Sequence, residues 1–244
     1  MIDLHCHLLP GIDDGPKTLD AALAMCRQAV ANGIRKSVTT PHIIPGRYEN
    51  TAATIKNGWK ALKRKLKEEG IALELGMAAE VRLDPVIMDM ITADQIPFLG
   101  RYQGDPVLLL EFPHTHIPPG SLEFIAWLSK RKIRPMIAHP ERNGDVMSSF
   151  RKIEPFVKAD CLLQITGASL EGVFGPEPRK RAIQLLKKDW VTIIASDAHN
   201  LSTRPPSLEP GRQIAAKFVG EHKSWELVSS RPEKIAAGHF ASHA

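Results

Sequence analysis

Two histidines one residue apart, His5 and His7, sit in the strand-like opening segment Ile2-Asp3-Leu4-His5-Cys6-His7. Side chains of a strand alternate faces, so the two imidazoles share one face and Cys6 points to the other. Two imidazoles on one face can chelate one cation. A lone His-x-His is more often a hydrogen-bonded pair in a core, so the ligand reading needs further residues. The chain supplies them in His42, Glu80, Glu111, His139, Asp197 and His199. Nitrogen and oxygen donors of these types suit manganese, iron and zinc without deciding between them.

The elements that must position these residues read as strands alternating with helices, which predicts a mainly parallel sheet covered by helices. Strand-like segments run from Ile2 to His7, Arg35 to Thr40, Ala72 to Glu80, Val107 to Glu111, Pro135 to His139, Cys161 to Thr166 and Val191 to Ser196. Helical patterns cover Leu19 to Asn32, Ala52 to Glu69, Pro85 to Thr92, Ser121 to Arg131, Met147 to Lys158 and Arg179 to Lys188, with two more near Gly211 to Val219 and Ser224 to Val228. All but one of the strands end in or beside a ligand-type residue, the exception being Cys161 to Thr166. In a parallel barrel the strand C-termini open on one rim, so these residues converge there. Each has a bland explanation: His42 bonding a loop carbonyl, Glu80 and Glu111 pairing with arginines, Asp197 capping a helix. Together those explanations would bury several acids and histidines at one rim without a cation, which is costly. His114, His116, His222, His239 and His243 have no comparable placement and read as rim or surface residues.

Length and composition agree with a single domain over residues 1–244, of ordinary globular composition at 43% hydrophobic and 24% charged residues. No apolar run approaches the ~18 residues that read as a membrane span, and the start lacks a basic n-region and apolar h-region, so a cytoplasmic location without membrane insertion is expected. The three cysteines, Cys6, Cys26 and Cys161, read as buried thiols of a reducing compartment. The net charge of +5 owes much to a helix face from Lys56 to Lys67 that ends in Glu68 and Glu69, and no nucleic-acid partner is expected.

Longer motifs carry a resemblance. Asp3-Leu4-His5-Cys6-His7 with Asp13-Asp14-Gly15-Pro16, Thr40-Pro41-His42, Ala79-Glu80, Leu110-Glu111-Phe112, Ala138-His139-Pro140-Glu141-Arg142-Asn143, Gln164 to Leu170, Ala195-Ser196-Asp197-Ala198-His199 and Arg231 to Ile235 occur in order along nearly the whole chain. The chain resembles the polymerase and histidinol phosphatase (PHP) superfamily, and within it the bacterial protein-tyrosine phosphatases of capsule and exopolysaccharide loci. Ile43 departs from that branch, which often carries a second histidine or another polar residue there. The resemblance implies a distorted TIM-like (β/α)7 barrel and three divalent ions, manganese, iron or zinc. Carried over by motif, one ion falls to His5, His7, Glu80 and Asp197, a second to Glu80, Glu111 and His139, and a third to Asp14, His42 and His199. Four carboxylates against three divalent ions leave a site charge of about +2, suited to a dianionic phosphate monoester.

The implied reaction is in-line attack of metal-activated water on phosphorus, with Arg142 and Arg204 holding the nonbridging oxygens. The bland alternative for each arginine is a salt bridge, for Arg142 with Glu141. A tyrosine phenolate with a pKa near ~10 leaves more readily than an alkoxide, so a strong general acid is dispensable. Cysteine-dependent chemistry is excluded, because the positions six after Cys6, Cys26 and Cys161 hold Ile12, Asn32 and Gly167 where that mechanism needs arginine. The implied substrate is the phosphotyrosine-containing tail of a bacterial tyrosine kinase, with the subunit number open. Competing readings are a phosphatase of a small metabolite such as histidinol phosphate, an amidohydrolase-type barrel, a PHP nuclease-like protein and a non-catalytic scaffold.

Overall fold

The computed structural model describes residues 1–241; His243 lies outside the described residues. The strands are β1 (Ile2–Cys6), β2 (Lys36–Thr39), β3 (His42–Ile43), β4 (Glu74–Met77), β5 (Glu80–Arg82), β6 (Gly100–Tyr102), β7 (Asp105–Glu111), β8 (Arg134–Ala138), β9 (Leu162–Thr166) and β10 (Ile193–Ala195). The helices are α1 (Leu19–Ala31), α2 (Ala52–Glu68), α3 (Ile87–Thr92), α4 (Ser121–Lys130), α5 (Gly144–Ser148), α6 (Glu154–Lys158), α7 (Gly167–Glu171), α8 (Pro176–Lys187), α9 (Glu209–Val219), α10 (Glu221–Val228) and α11 (Ser230–Phe240). No helix among the described residues is long and apolar enough to cross a membrane.

The strands form two sheets, β1-β2-β4 and β10-β9-β8-β7-β5-β3, and apart from antiparallel β6-β7 the pairings are parallel. The sheets meet at two seams. The strand expected from Ala72 to Glu80 is broken into β4 and β5, and a short β3 follows the expected second strand after Pro41, which has no N–H to give a ladder. Across this seam the Ala78 N–H donates to the Thr39 carbonyl (2.8 Å) and the Glu80 N–H to that of Thr40 (3.3 Å). At the other seam the Asp197 N–H donates to the His5 carbonyl (2.7 Å) and the His7 N–H to that of Ala198 (2.8 Å). Of the expected distorted (β/α)7 barrel, the structure shows a mixed α/β fold with two mainly parallel sheets.

Alternation along the strands sorts apolar side chains into two cores. Val107 and Leu109 of β7 join an inner core with Leu4, Met136 and Ile193, whereas Leu108 and Leu110 join an outer core that includes helix residues. The pairing of β1 with β2 shifts register between Asp3 and Cys6. Ile2 and Leu4 therefore belong to the inner core and Cys6 to the outer one. Ile235 and Ala236 of α11 complete the inner core.

Local signals account for several boundaries. Thr18 caps α1 by accepting the Ala21 N–H (3.2 Å), as its position before an acidic first turn predicts. The helix expected from Met147 to Lys158 is interrupted: Ser149 is extended, a 3-10 turn covers Phe150–Ile153, and α6 restarts with Pro155 in its first turn. Neither α7 nor α11 was expected.

Candidate metal centre

The nine expected ligands come together. His5 and His7 lie at the end of β1, Asp14 in the turn after it, His42 on β3, Glu80 at the β4/β5 break and Glu111 on the last residue of β7. His139 directly follows β8, and Asp197 and His199 follow β10. All are buried except Asp14, whose side chain is 40% exposed. His139 (φ 31°) and Asp197 (φ 53°) both adopt left-handed backbone, uncommon for residues with a Cβ, and turn the chain at the strand ends.

Three histidines are oriented from behind. The Nδ1 of His5 lies 2.9 Å from Gln164 Oε1, that of His7 2.7 Å from Asp13 Oδ2, and that of His199 2.9 Å from the Asp197 carbonyl. An acceptor at Nδ1 places the proton there and leaves the Nε2 lone pair free, the arrangement typical of metal-binding histidines. The free nitrogens face carboxylates. His5 Nε2 is 3.2 Å from Glu80 Oε2 and 3.3 Å from Asp197 Oδ1, and His7 Nε2 is 3.3 and 3.5 Å from the same two oxygens. Asp14 Oδ1 stands 3.4 Å from His42 Nε2 and 3.3 Å from His199 Nε2. His139 Nε2 is 2.8 Å from Glu80 Oε1 and 3.9 Å from Glu111 Oε1.

Despite these short separations, His5 Nε2, His7 Nε2, His42 Nδ1, His199 Nε2, Glu80 Oε2 and Asp197 Oδ1 are buried and make no hydrogen bond within the described residues. Buried polar atoms are normally satisfied, and six that converge without pairing match the donor set of a divalent cation. Grouped by proximity, the donors are His5, His7, Glu80 and Asp197; His7, Asp14, His42 and His199; His42, Glu80 and Glu111; and Glu111, His114 and His139.

In the absence of a cation, burial lowers His5 and His7 but the surrounding carboxylates outweigh it and raise both, so a divalent ion takes the place of a proton at Nε2. Burial and the Arg142 guanidinium push His139 down to about 3, and burial with the charge of His7 takes His199 down to about 4, keeping both imidazoles neutral. Burial opposes ionisation of Asp197, but His5, Arg204 and Arg142 outweigh it and hold its carboxyl well below the usual range. Glu111, buried beside the negative Glu80, is pushed up to about 7. The thiols are inert: burial raises Cys26 and Cys161 to about 12 and Cys6 well above its ordinary value.

Arg142 and Arg204 both reach Asp197 Oδ2, Arg204 at 2.5 Å, and the buried Arg204 Nε has no partner among the described residues. The bland pairing of Arg142 with Glu141 is not what forms. Glu141 instead accepts the Thr166 N–H (2.9 Å) and the Ser169 hydroxyl (2.7 Å), tying the turn that carries Arg142 to the start of α7. Glu111 does take an arginine, with Arg82 Nε at 2.7 Å.

Several contributors were not expected. His114 reads as a bystander in the sequence, yet its Nε2 lies 3.8 Å from Glu111 Oε1. Gln164 serves the one strand without a ligand-type end, accepting from the His139 N–H (3.2 Å) as well as contacting His5. A buried amide on a strand facing a histidine-rich rim was the available signal. Tyr48 stacks on His42 with ring centroids 5.7 Å apart. His239 is part-buried, its Nε2 donating to the Leu99 carbonyl (3.2 Å), whereas His116 and His222 are exposed.

Comparison with known proteins places this geometry. The chain is 33% identical to tyrosine-protein phosphatase YwqE of Bacillus subtilis over 230 residues, 94% of this chain and 89% of that protein. It superimposes with a TM-score of 0.90, at 30% identity and over 97% of this chain and 94% of the other, on a crystal structure from work on YwqE of Bacillus subtilis and CpsB of Streptococcus pneumoniae, described as unique metal-dependent tyrosine phosphatases. Likeness to dihydropyrimidinase of Brevibacillus agri, at 12% identity and a TM-score of 0.56 over 98% of this chain and 70% of that one, is a likeness of fold alone. The family model for capsular polysaccharide synthesis, CpsB/CapC, matches residues 1–237, and the chain belongs to that family.

Proposed function

We propose that residues 1–244 form one metal-dependent protein-tyrosine phosphatase domain, cytoplasmic, acting on the phosphotyrosine-containing tail of a bacterial tyrosine kinase of a capsule or exopolysaccharide locus. Its two sheets are read as the distorted (β/α)7 barrel of the PHP type. The observation that carries the reading is the set of buried, unpaired donor atoms on His5, His7, His42, His199, Glu80 and Asp197, backed by acceptors at three of the four histidines.

Three divalent ions, manganese, iron or zinc, would be held by His5, His7, Glu80 and Asp197; by Glu80, Glu111 and His139; and by Asp14, His42 and His199. When bound, such ions polarise phosphoryl oxygens and acidify water. The protein does the rest. Arg142 and Arg204 aim guanidinium donors at one point beside Asp197, where their forks suit the nonbridging oxygens of a phosphoryl group. Asp197 fixes both arginines while facing His5 and His7, so the anion-holding and cation-holding halves share one carboxylate.

The test is metal analysis of the purified protein with hydrolysis of a phosphotyrosyl peptide and of histidinol phosphate, before and after chelation. The expected outcome is bound divalent metal, a kcat/KM favouring the peptide, and activity lost on chelation and restored on reloading, with Cys6→Ser sparing most of it. Undiminished activity in the metal-free enzyme would overturn the mechanism.

A further inference from the structure

A cavity of about 570 Å³ adjoins the candidate centre on the side of the two arginines, between α7 with its following turn and the loop of residues 202–207. Val173, Phe174 and Pro205 supply much of its apolar wall, Ala168 lines it from α7, and Arg204 lies on its boundary. Two contacts join it to the centre. Arg204 both lines the cavity and bonds Asp197 Oδ2 at 2.5 Å. Phe174 also lines it, and carries the Arg142 guanidinium 4.3 Å from its ring centroid, while Arg142 bonds the same oxygen of Asp197. Val173 is 56% exposed, an apolar side chain left open at the mouth.

We infer that this cavity is the aryl subsite of the enzyme, with Phe174 as its specificity-determining residue. The inference rests on the phosphotyrosine phosphatase reading and adds where the ring goes. A phosphoryl group held by Arg142 and Arg204 places its ester oxygen at the boundary between the charged centre and the apolar wall. A phenyl ring continuing from that oxygen meets Phe174, Val173 and Pro205, where it can pair with an aromatic face and leave water. An alkyl ester extending the same way offers no flat face to Phe174 and gains less. Glu171 is the one carboxylate on the wall, and it repels a second anionic group, so the cavity suits the uncharged ring and not a second phosphate.

The test measures KM and kcat for a phosphotyrosyl peptide together with the Ki of inorganic phosphate as competitive inhibitor, in metal-loaded wild type, Phe174→Leu and Ala168→Leu. Phe174→Leu removes the aromatic face and keeps apolar bulk beneath Arg142, whereas Ala168→Leu fills the cavity from α7 and leaves Phe174 in place beneath Arg142. Both variants are expected to raise the KM for the peptide about tenfold, with kcat and the Ki of phosphate little changed, the signature of lost uniform binding. Ki and KM rising together in Phe174→Leu would mean that the ring acts only by holding Arg142, and an unchanged peptide KM in Ala168→Leu would mean that the cavity is not used. Either result overturns the aryl subsite while leaving wild-type phosphotyrosine hydrolysis intact. Failure of the wild type itself on the peptide would bring down both readings.

Discussion

Asp13 and Asp14 are adjacent carboxylates with different tasks. Asp14 presents Oδ1 to His42 and His199 from a partly exposed position, whereas Asp13 is buried and turned to protein, accepting at Oδ2 from the His42 N–H (3.1 Å) and facing His7 Nδ1. The turn between them is tight. The Gly15 N–H donates to Asp13 Oδ1 (2.9 Å), and a Cβ on Gly15 would come within 2.9 Å of the His7 carbonyl oxygen. Nothing in the Asp-Asp dipeptide distinguishes the two roles; the turn does. Removing Asp13 leaves His7 free to rotate and protonate at either nitrogen. Asp13→Ala is therefore expected to weaken divalent-metal binding by about 10–100-fold, as loss of an outer-shell partner does, read by titration against a competing chelator. Wild-type affinity in that variant would show that His7 is held by packing alone.

At the scale of elements, what escaped the sequence is what has a weak local signal. The hairpin of β6 and β7 turns through Gln103 (φ 53°) and Gly104 (φ 93°), a two-residue loop with both residues left-handed, but with Gln where Asn or Asp would announce it. Helix α11 begins Ser-Arg-Pro, and the proline is harmless there because the first turn has no intrahelical use for its N–H. These two elements pack together: a Cβ on Gly100 would lie 2.0 Å from the Ile235 carbonyl oxygen, and Gly100 has φ 140°. Gly100→Ala must push α11 off the inner core. Such overpacking costs about 1–3 kcal/mol, which lowers Tm by about 2–4 °C for each kcal/mol in a chain of this size. Thermal denaturation checks it, and an unchanged Tm would mean that α11 shifts without loss.

For the whole molecule, the centre draws side chains from both sheets and from both seams between them. Cations bound there would together tie β1, β3, β5, β7 and the segments after β8 and β10 into one unit that the unfolded chain cannot form. Each ion at about 100 times its Kd is expected to stabilise the fold by about 2.7 kcal/mol and raise Tm by about 5–10 °C, seen by calorimetry with and without chelator. A Tm indifferent to metal would separate the centre from the stability of the fold. The alternation of strands and helices, and acids and histidines at strand ends, were legible in the sequence because hydrophobic periodicity and residue type are local properties. Tertiary structure alone decided that Asp13 and Gln164 stand behind the ligands, that His114 joins Glu111, and that Arg142 turns to Asp197 and away from its neighbour Glu141. It also decided where a cavity opens beside those arginines. Those outcomes depend on which distant atoms meet across the seams, and on breaks and register shifts in β1, β2/β3 and β4/β5 of one or two residues, which the side-chain pattern along the chain does not encode.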